Sequence, residues 1–346
     1  MSTDDLPTIS VIIPVREERS AEPVLESLRL VDYPADRFEI IVTRGKQPSR
    51  QRNEAVNMAR GDLLFFLDND SLVPPSLFRR AVSTLETSRA DVVGGPSATP
   101  RNDTVLQRCF GYAYSSPFGT LGSRRRYRSI GNVKEATEID LIMCNLCLRR
   151  RVFLDAGCLD ERLYPNEENE FLNRLSQRGD RLIYDPHAMV FRSQRETWGA
   201  FARQVFHYGR GRIDHFFASP RFFNPIFFVP LAFMTYLLTL PLLASPLSLL
   251  PLLAYLVLAI VAGLEALRQE RNFNSLVVML AVFPVMHFAY ALGTVRGLVE
   301  NLLGSASITA APVQATRVKA FGSVRRFEEQ AAVVEIAPVV GSKSEY

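Results

Sequence analysis

Three apolar runs open the chain, at Ile9 to Pro14, Phe38 to Thr43 and Leu63 to Leu67, the first two of them rich in β-branched residues. Each is short and apolar without alternation, the pattern of strands covered on both faces in a parallel sheet. Between them, Val24, Leu25 and Leu28 give helical spacing to residues 20–30, and residues 49–60 form a second helical stretch closed by Gly61. The alternation predicts βαβ units with three parallel strand tips along one edge. Further on, Phe171, Leu172 and Leu175 predict a helix with Asn166 as its N-cap and Gly179 at C′. Residues 182–186 and 189–191 read as short strands, and 197–212 as a helix.

The pattern then changes. Residues 222–264 contain no charged side chain, and 272–295 contain only His287. A run of 43 uncharged residues is too long for one span, and Ser245-Pro246 breaks it, which predicts a two-helix membrane hairpin with a third span near Ser275 to Val295. Asp4 and Asp5 precede a core strand and no apolar signal segment opens the chain, so the α/β domain is expected to stay cytoplasmic, on a multi-pass protein of the inner membrane. Arg203, Arg210, Arg212 and Arg221 before the first span, with Arg268 and Arg271 after the second, agree by the positive-inside rule. Three spans would place the tail outside, whereas Arg317, Lys319, Arg325 and Arg326 favour the inside. A re-entrant or interfacial third segment, kinked near Pro284 and Gly293, would reconcile the two. The expected division is an α/β domain over 1–221, membrane helices over 222–303 and a tail over 304–346, disordered from 330.

The candidate chemistry sits at the third strand. Asp68 and Asp70 follow Leu67 immediately, and open α/β sheets bind ligands beyond the carboxyl ends of their strands. Two carboxylates there suit Mg²⁺ or Mn²⁺, which shares its remaining positions with phosphate oxygens. An acidic turn leading into Pro74-Pro75 accounts for the same residues. Likewise Glu167, Glu168 and Glu170 favour a helix N-terminus whatever their function. The net charge of +4 and the lack of a basic stripe give no support to a nucleic-acid partner. Arg124, Arg125, Arg126 and Arg128 form one dense cationic cluster, either solvated or in contact with anionic groups. Four cysteines, with Cys144 and Cys147 on opposite faces of a strand, read as reduced core residues rather than a zinc site.

Taken in order, Val11 to Glu17, Arg52-Asn53, Gly61-Asp62 and Phe66-Leu-Asp-Asn-Asp70 resemble the inverting family 2 glycosyltransferases of the GT-A fold, over roughly residues 8–215. The resemblance implies a Rossmann-like mixed sheet, a nucleotide-sugar donor contacted near Pro14, Arg16, Glu17, Arg52, Asn53 and Asp68, and a metal on Asp68 and Asp70. Glu167-Glu168-Asn169-Glu170 resembles the family's Glu-Asp-x-Asp/Glu motif, whose second position is the catalytic base, here Glu168. Gln204 to Arg212 resembles the Gln-x-x-x-Tyr-Gly-Arg-Gly segment of non-processive membrane members, so Gln204, Arg210 and Arg212 are implied to meet a diphosphate or lipid phosphate. Two departures stand out. Thr43-Arg44-Gly45-Lys46 replaces an acidic pair that holds the nucleoside, leaving Arg44, Lys46 or Arg50 for that side. Arg192 occupies a slot where relatives often carry a His, and an Arg cannot ligate a metal.

The resulting expectation is a metal-dependent transferase that passes a sugar to a membrane-linked, polyprenyl-diphosphate glycan in polysaccharide assembly. The alternatives are a polyprenyl-phosphate glycosyl synthase, which needs no deprotonating base, and an inactive membrane scaffold that retains the fold.

Overall fold

The computed structural model describes residues 6–218, 224–243, 245–304, 312–322 and 334–336. The chain opens as its pattern predicts: β1 (Ile9–Val15), α1 (Glu22–Leu28), β2 (Phe38–Arg44), α2 (Pro48–Met58) and β3 (Leu63–Leu67), with β2 and β3 parallel to β1 on either side of it. Alternation along β1 decides the layers. Val11 and Ile13 face a core completed by α1 and by Phe78, Val82 and Leu85 of α3 (Leu77–Thr87). Ile12 faces the opposite core, with Ala55 and Val56 of α2.

After α3 come β4 (Val92–Gly94), β5 (Ser97–Ala98), α4 (Val105–Ser115), α5 (Pro117–Thr120) and β6 (Lys134–Glu135). The domain continues through β7 (Asn145–Arg149), α6 (Arg150–Asp155), α7 (Glu167–Arg178), β8 (Leu182–Tyr184), β9 (Val190–Phe191) and α8 (Trp198–Ala218). β7 lies antiparallel between β3 and β4, which makes the sheet mixed. α7 begins after Asn166 as expected, although the Asn166 side chain accepts from Asn169 at 2.9 Å instead of capping the backbone. Gly179 ends α7 with φ 85°, a left-handed conformation that costs glycine little.

Three apolar helices follow: α9 (Val229–Thr239), α10 (Leu250–Glu270) and α11 (Phe273–Leu302). With their flanking turns they are long and apolar enough to cross a membrane. Their burial differs: 33% of the apolar window of α11 is buried against 11% for α10 and none for α9, so α11 packs most closely on the α/β domain while much of α9 and α10 faces outward. Gly293 and Gly209 make the α11–α8 contact possible. A Cβ at Gly293 would collide with the Phe206 carbonyl, and one at Gly209 with the Tyr290 carbonyl. The two backbones therefore touch, as small residues allow between helices. A third core joins the parts, with Phe110 of α4 stacked on Phe201 of α8 at 4.0 Å and with Met279, Val282 and Phe283 of α11 packed alongside.

The segment set apart as a tail re-enters the sheet. β10 (Val313–Lys319) pairs antiparallel with β2, and β11 (Val334–Ile336) pairs with β10, giving the order β11-β10-β2-β1-β3-β7-β4-β8-β6. Its basic residues are bound by the domain: Arg317 pairs with Glu39 at 2.8 Å, and the buried Lys319 ammonium donates to the Phe38 carbonyl at 2.7 Å. Arg221, Arg325, Arg326 and most of the stretch expected to be disordered lie outside the described residues.

Candidate active site

The tip of β3 delivers Asp68 and Asp70 to one cavity of about 1390 Å³. Asp68 is held by two guanidiniums: Arg52 donates to its Oδ1 at 3.3 Å, and Arg192 donates to its Oδ2. Asp70 forms no ion pair among the described residues and is open to the cavity; partial desolvation and the neighbouring Asp68 raise its carboxyl pKa, while Arg192 and Arg195 oppose the shift. Two carboxylates at one strand tip, of which Asp70 is open to the cavity and outside any ion pair among the described residues, fit Mg²⁺ or Mn²⁺, with Asp70 the freer ligand.

The four residues at the start of α7 divide their roles by helical position. Glu170 turns away from the cavity to a bidentate pair with Arg174, at 2.9 and 2.8 Å. Glu167 is buried and accepts from Arg52 at 2.8 Å, so Arg52 bridges the α7 acids to Asp68. Glu168 lines the cavity, and Arg126 donates to its Oε1 at 3.2 Å. Arg126 also donates to Asn169 at 2.6 Å and to the Glu138 carbonyl, so this member of the arginine cluster is part of the site instead of a solvated loop. Sequence alone offered no pairing for Arg126, because its side-chain partners Glu168 and Asn169 lie 42 and 43 residues away along the chain.

Burial pushes the Glu167 carboxyl from an ordinary 4.5 up to about 7, and Glu168 adds to the shift while Arg52 opposes it. The folded protein therefore binds a proton that the unfolded chain releases between these values, and this group's contribution to stability falls as pH rises from about 4.5 to about 7. Glu167→Gln is expected to flatten the melting temperature against pH over that range, measured by differential scanning fluorimetry in detergent. An unchanged slope would show that Glu167 does not titrate there.

Pro14, Arg16 and Gln204 line the cavity; Gln204 donates to the Tyr208 hydroxyl at 2.7 Å and accepts from Arg195 at 2.9 Å. Glu17, Arg44, Lys46, Arg50 and Asn53 do not. Asn53 braces the loop before α7, donating to the Leu159 carbonyl at 3.0 Å and accepting from its N–H. Arg44 donates to the Arg19 carbonyl at 3.0 Å and stands opposite Gln314 of β10, so the returning strand occupies that flank of β2. Arg210 and Arg212 separate. Arg210 pairs with Glu300 of α11 at 2.6 Å, whereas Arg212 lies over the Phe227 ring at 3.8 Å, with burial lowering its pKa. The far wall of the cavity is apolar, with Phe227, Val229, Phe233, Tyr255, Leu258 and Met286 from α9 to α11 and the turn before them.

Residues 4–211 match the family model described as glycosyltransferase like family 2. The chain belongs to that family. It is 23% identical over 242 residues to the glycosyltransferase AglE of Haloferax volcanii, covering 61% of this chain and 75% of that one. It is 27% identical over 248 residues to the succinoglycan biosynthesis protein ExoA of Rhizobium meliloti, covering 62% and 73%. The fold is shared with the mannosyltransferase PcManGT of Pyrobaculum calidifontis, solved with GDP-mannose and Mn²⁺, at a TM-score of 0.53 and 18% identity over 86% of this chain and 88% of that one. The protein is thus a glycosyltransferase with a GT-A mixed sheet, followed by three helices apolar enough to span a membrane.

Proposed function

We propose that this glycosyltransferase moves a sugar, with inversion, from a nucleotide-sugar donor to a lipid-linked glycan in polysaccharide assembly. One observation carries the reading: a single cavity is lined by Asp68, Asp70 and Glu168 on the sheet side and by an apolar wall from α9, α10 and α11. A soluble acceptor has no use for that wall, whereas an acceptor with a polyprenyl tail can lie along it with its sugar at Glu168. The acceptor hydroxyl attacks the anomeric carbon, its proton passes to the Glu168 carboxylate, and the nucleoside diphosphate leaves from the opposite face. Mg²⁺ or Mn²⁺ held by Asp70 and Asp68 would supply charge neutralisation for that leaving group. The Mn²⁺ and GDP-mannose in the Pyrobaculum enzyme and the succinoglycan role of ExoA accord with this reading.

Arg126 and Arg212 favour a second reading, a polyprenyl-phosphate glycosyl synthase, because both cations lie in the cavity with Glu168 and suit an anionic nucleophile.

The membrane arrangement follows from the tail. We infer that, with β10 in the sheet, the chain after α11 lies on the same side of the membrane as the domain, which favours an even number of crossings. On this reading α9 and α10 form the bilayer hairpin and α11, packed on α8, lies against the domain at the interface, with the domain on the side expected to be cytoplasmic.

The test is incubation of membranes containing the full chain with a panel of labelled nucleotide sugars, reading lipid-extractable label and released nucleotide. Label is expected in an acid-labile lipid fraction with one donor. Label entering only water-soluble acceptors would overturn the lipid-linked assignment.

A further inference from the structure

Arg192 lines the candidate donor cavity beside Asp68 and Asp70. The backbone fixes it there: its N–H donates to the Ala98 carbonyl at 2.9 Å, and the preceding Phe191 exchanges hydrogen bonds with Leu72 at 2.7 and 3.0 Å. Leu72 is two residues past Asp70, so β9 ties Arg192 to the acidic turn itself. Its guanidinium lines the same cavity as Asp70 and donates to Asp68 Oδ2 while Arg52 holds Oδ1. Both oxygens of Asp68 therefore carry a cation. Among the described residues no group of three or more His, Cys, Asp and Glu is placed to surround a metal.

A guanidinium fixed beside two carboxylates changes what the site does before and after donor arrives. Free metal meets one available carboxylate and a nearby positive charge, which opposes binding. A diphosphate meets a planar donor matched to its oxygens. We propose that Arg192 is a diphosphate-binding cation built into the donor site, sharing neutralisation of the leaving group with the metal and, through its hold on Asp68, making tight metal binding wait for the donor. This rests on the donor reading above and adds to it a division of charge between protein and ion.

The full chain in detergent micelles tests it, with Mn²⁺ alone followed by electron paramagnetic resonance and with uridine and guanosine diphosphates followed by calorimetry, with EDTA and with Mn²⁺. Arg192→Gln is expected to weaken metal-free binding of the preferred nucleotide by about tenfold and to tighten Mn²⁺ binding without nucleotide by about fivefold, because Asp68 regains its lone pairs. The two changes run in opposite directions, and damaged folding would weaken both. Arg192→Lys is expected to keep most of the metal-free nucleotide affinity. Mn²⁺ affinity that stays the same or falls in Arg192→Gln, equal losses in the Lys and Gln variants, or native binding that vanishes in EDTA would each overturn the proposal. Failure of either nucleotide to bind the native protein even with Mn²⁺ would instead sink the donor reading.

Discussion

Glu168→Gln is expected to slow sugar transfer by about two to four orders of magnitude while donor affinity stays within about threefold of the native value. The amide keeps the size of the carboxylate and can still accept a hydrogen bond from Arg126, which now reaches Glu168 Oε1 at 3.2 Å. What it lacks is the ability to take a proton from the attacking hydroxyl. Glu170→Gln serves as the comparison, since Glu170 is engaged with Arg174 outside the cavity and its loss should lower stability with little change in turnover per folded molecule. Single-turnover rates and donor binding are measured on both. A crippled Glu170→Gln beside an active Glu168→Gln would shift the base within the motif. Full transfer to a lipid phosphate by Glu168→Gln would favour the second reading, whose anionic nucleophile has no proton to lose.

Asp70→Ala is expected to abolish divalent-dependent binding of a nucleoside diphosphate. Asp70 is the carboxylate of the pair without an ion-pair partner among the described residues, and both oxygens of Asp68 are already held. With one acidic ligand gone and the other taken, Mn²⁺ has no anchor next to the phosphates, and the expected loss of Mn²⁺-supported affinity is a hundredfold or more, about 3 kcal/mol. Calorimetry with and without Mn²⁺ checks it. Equal Mn²⁺ enhancement in the native and Asp70→Ala proteins would remove Asp70 from the metal site.

The first half of the sheet was legible because its signals are local. Short apolar runs alternating with helical stretches read as covered strands, and Leu63 to Leu67 ends at Asp68 in sequence as it does in space. α7 was equally plain, with its apolar face and Gly179 stop. Signals that depend on distant partners were not legible. The β10 segment reads as polar and basic, and it becomes a strand because Glu39 and the Phe38 carbonyl satisfy Arg317 and Lys319. Arg210 and Arg212 are two helical positions apart, so their side chains diverge by about 200°; both line the cavity, and only the place of α11 decides that Arg210 is engaged there by Glu300. Arg192 was visible as a departure from a metal-ligating His, but its contact with Asp68 depends on the pairing of Phe191 with Leu72.

The return of β10 to β2 also sets an order of assembly during synthesis. On the order of 270 residues, including every apolar helix, are made between the two strands, so at about 5–20 residues per second the β2 edge waits roughly 15 to 55 s for its neighbour. Over that interval its N–H and C=O groups face solvent as an open template for any other strand. Sheet completion thus comes after every apolar helix has been made, and a chain that terminates within α11 leaves the ribosome with an aggregation-prone edge. The sheet is complete only in a chain whose apolar helices have all been made.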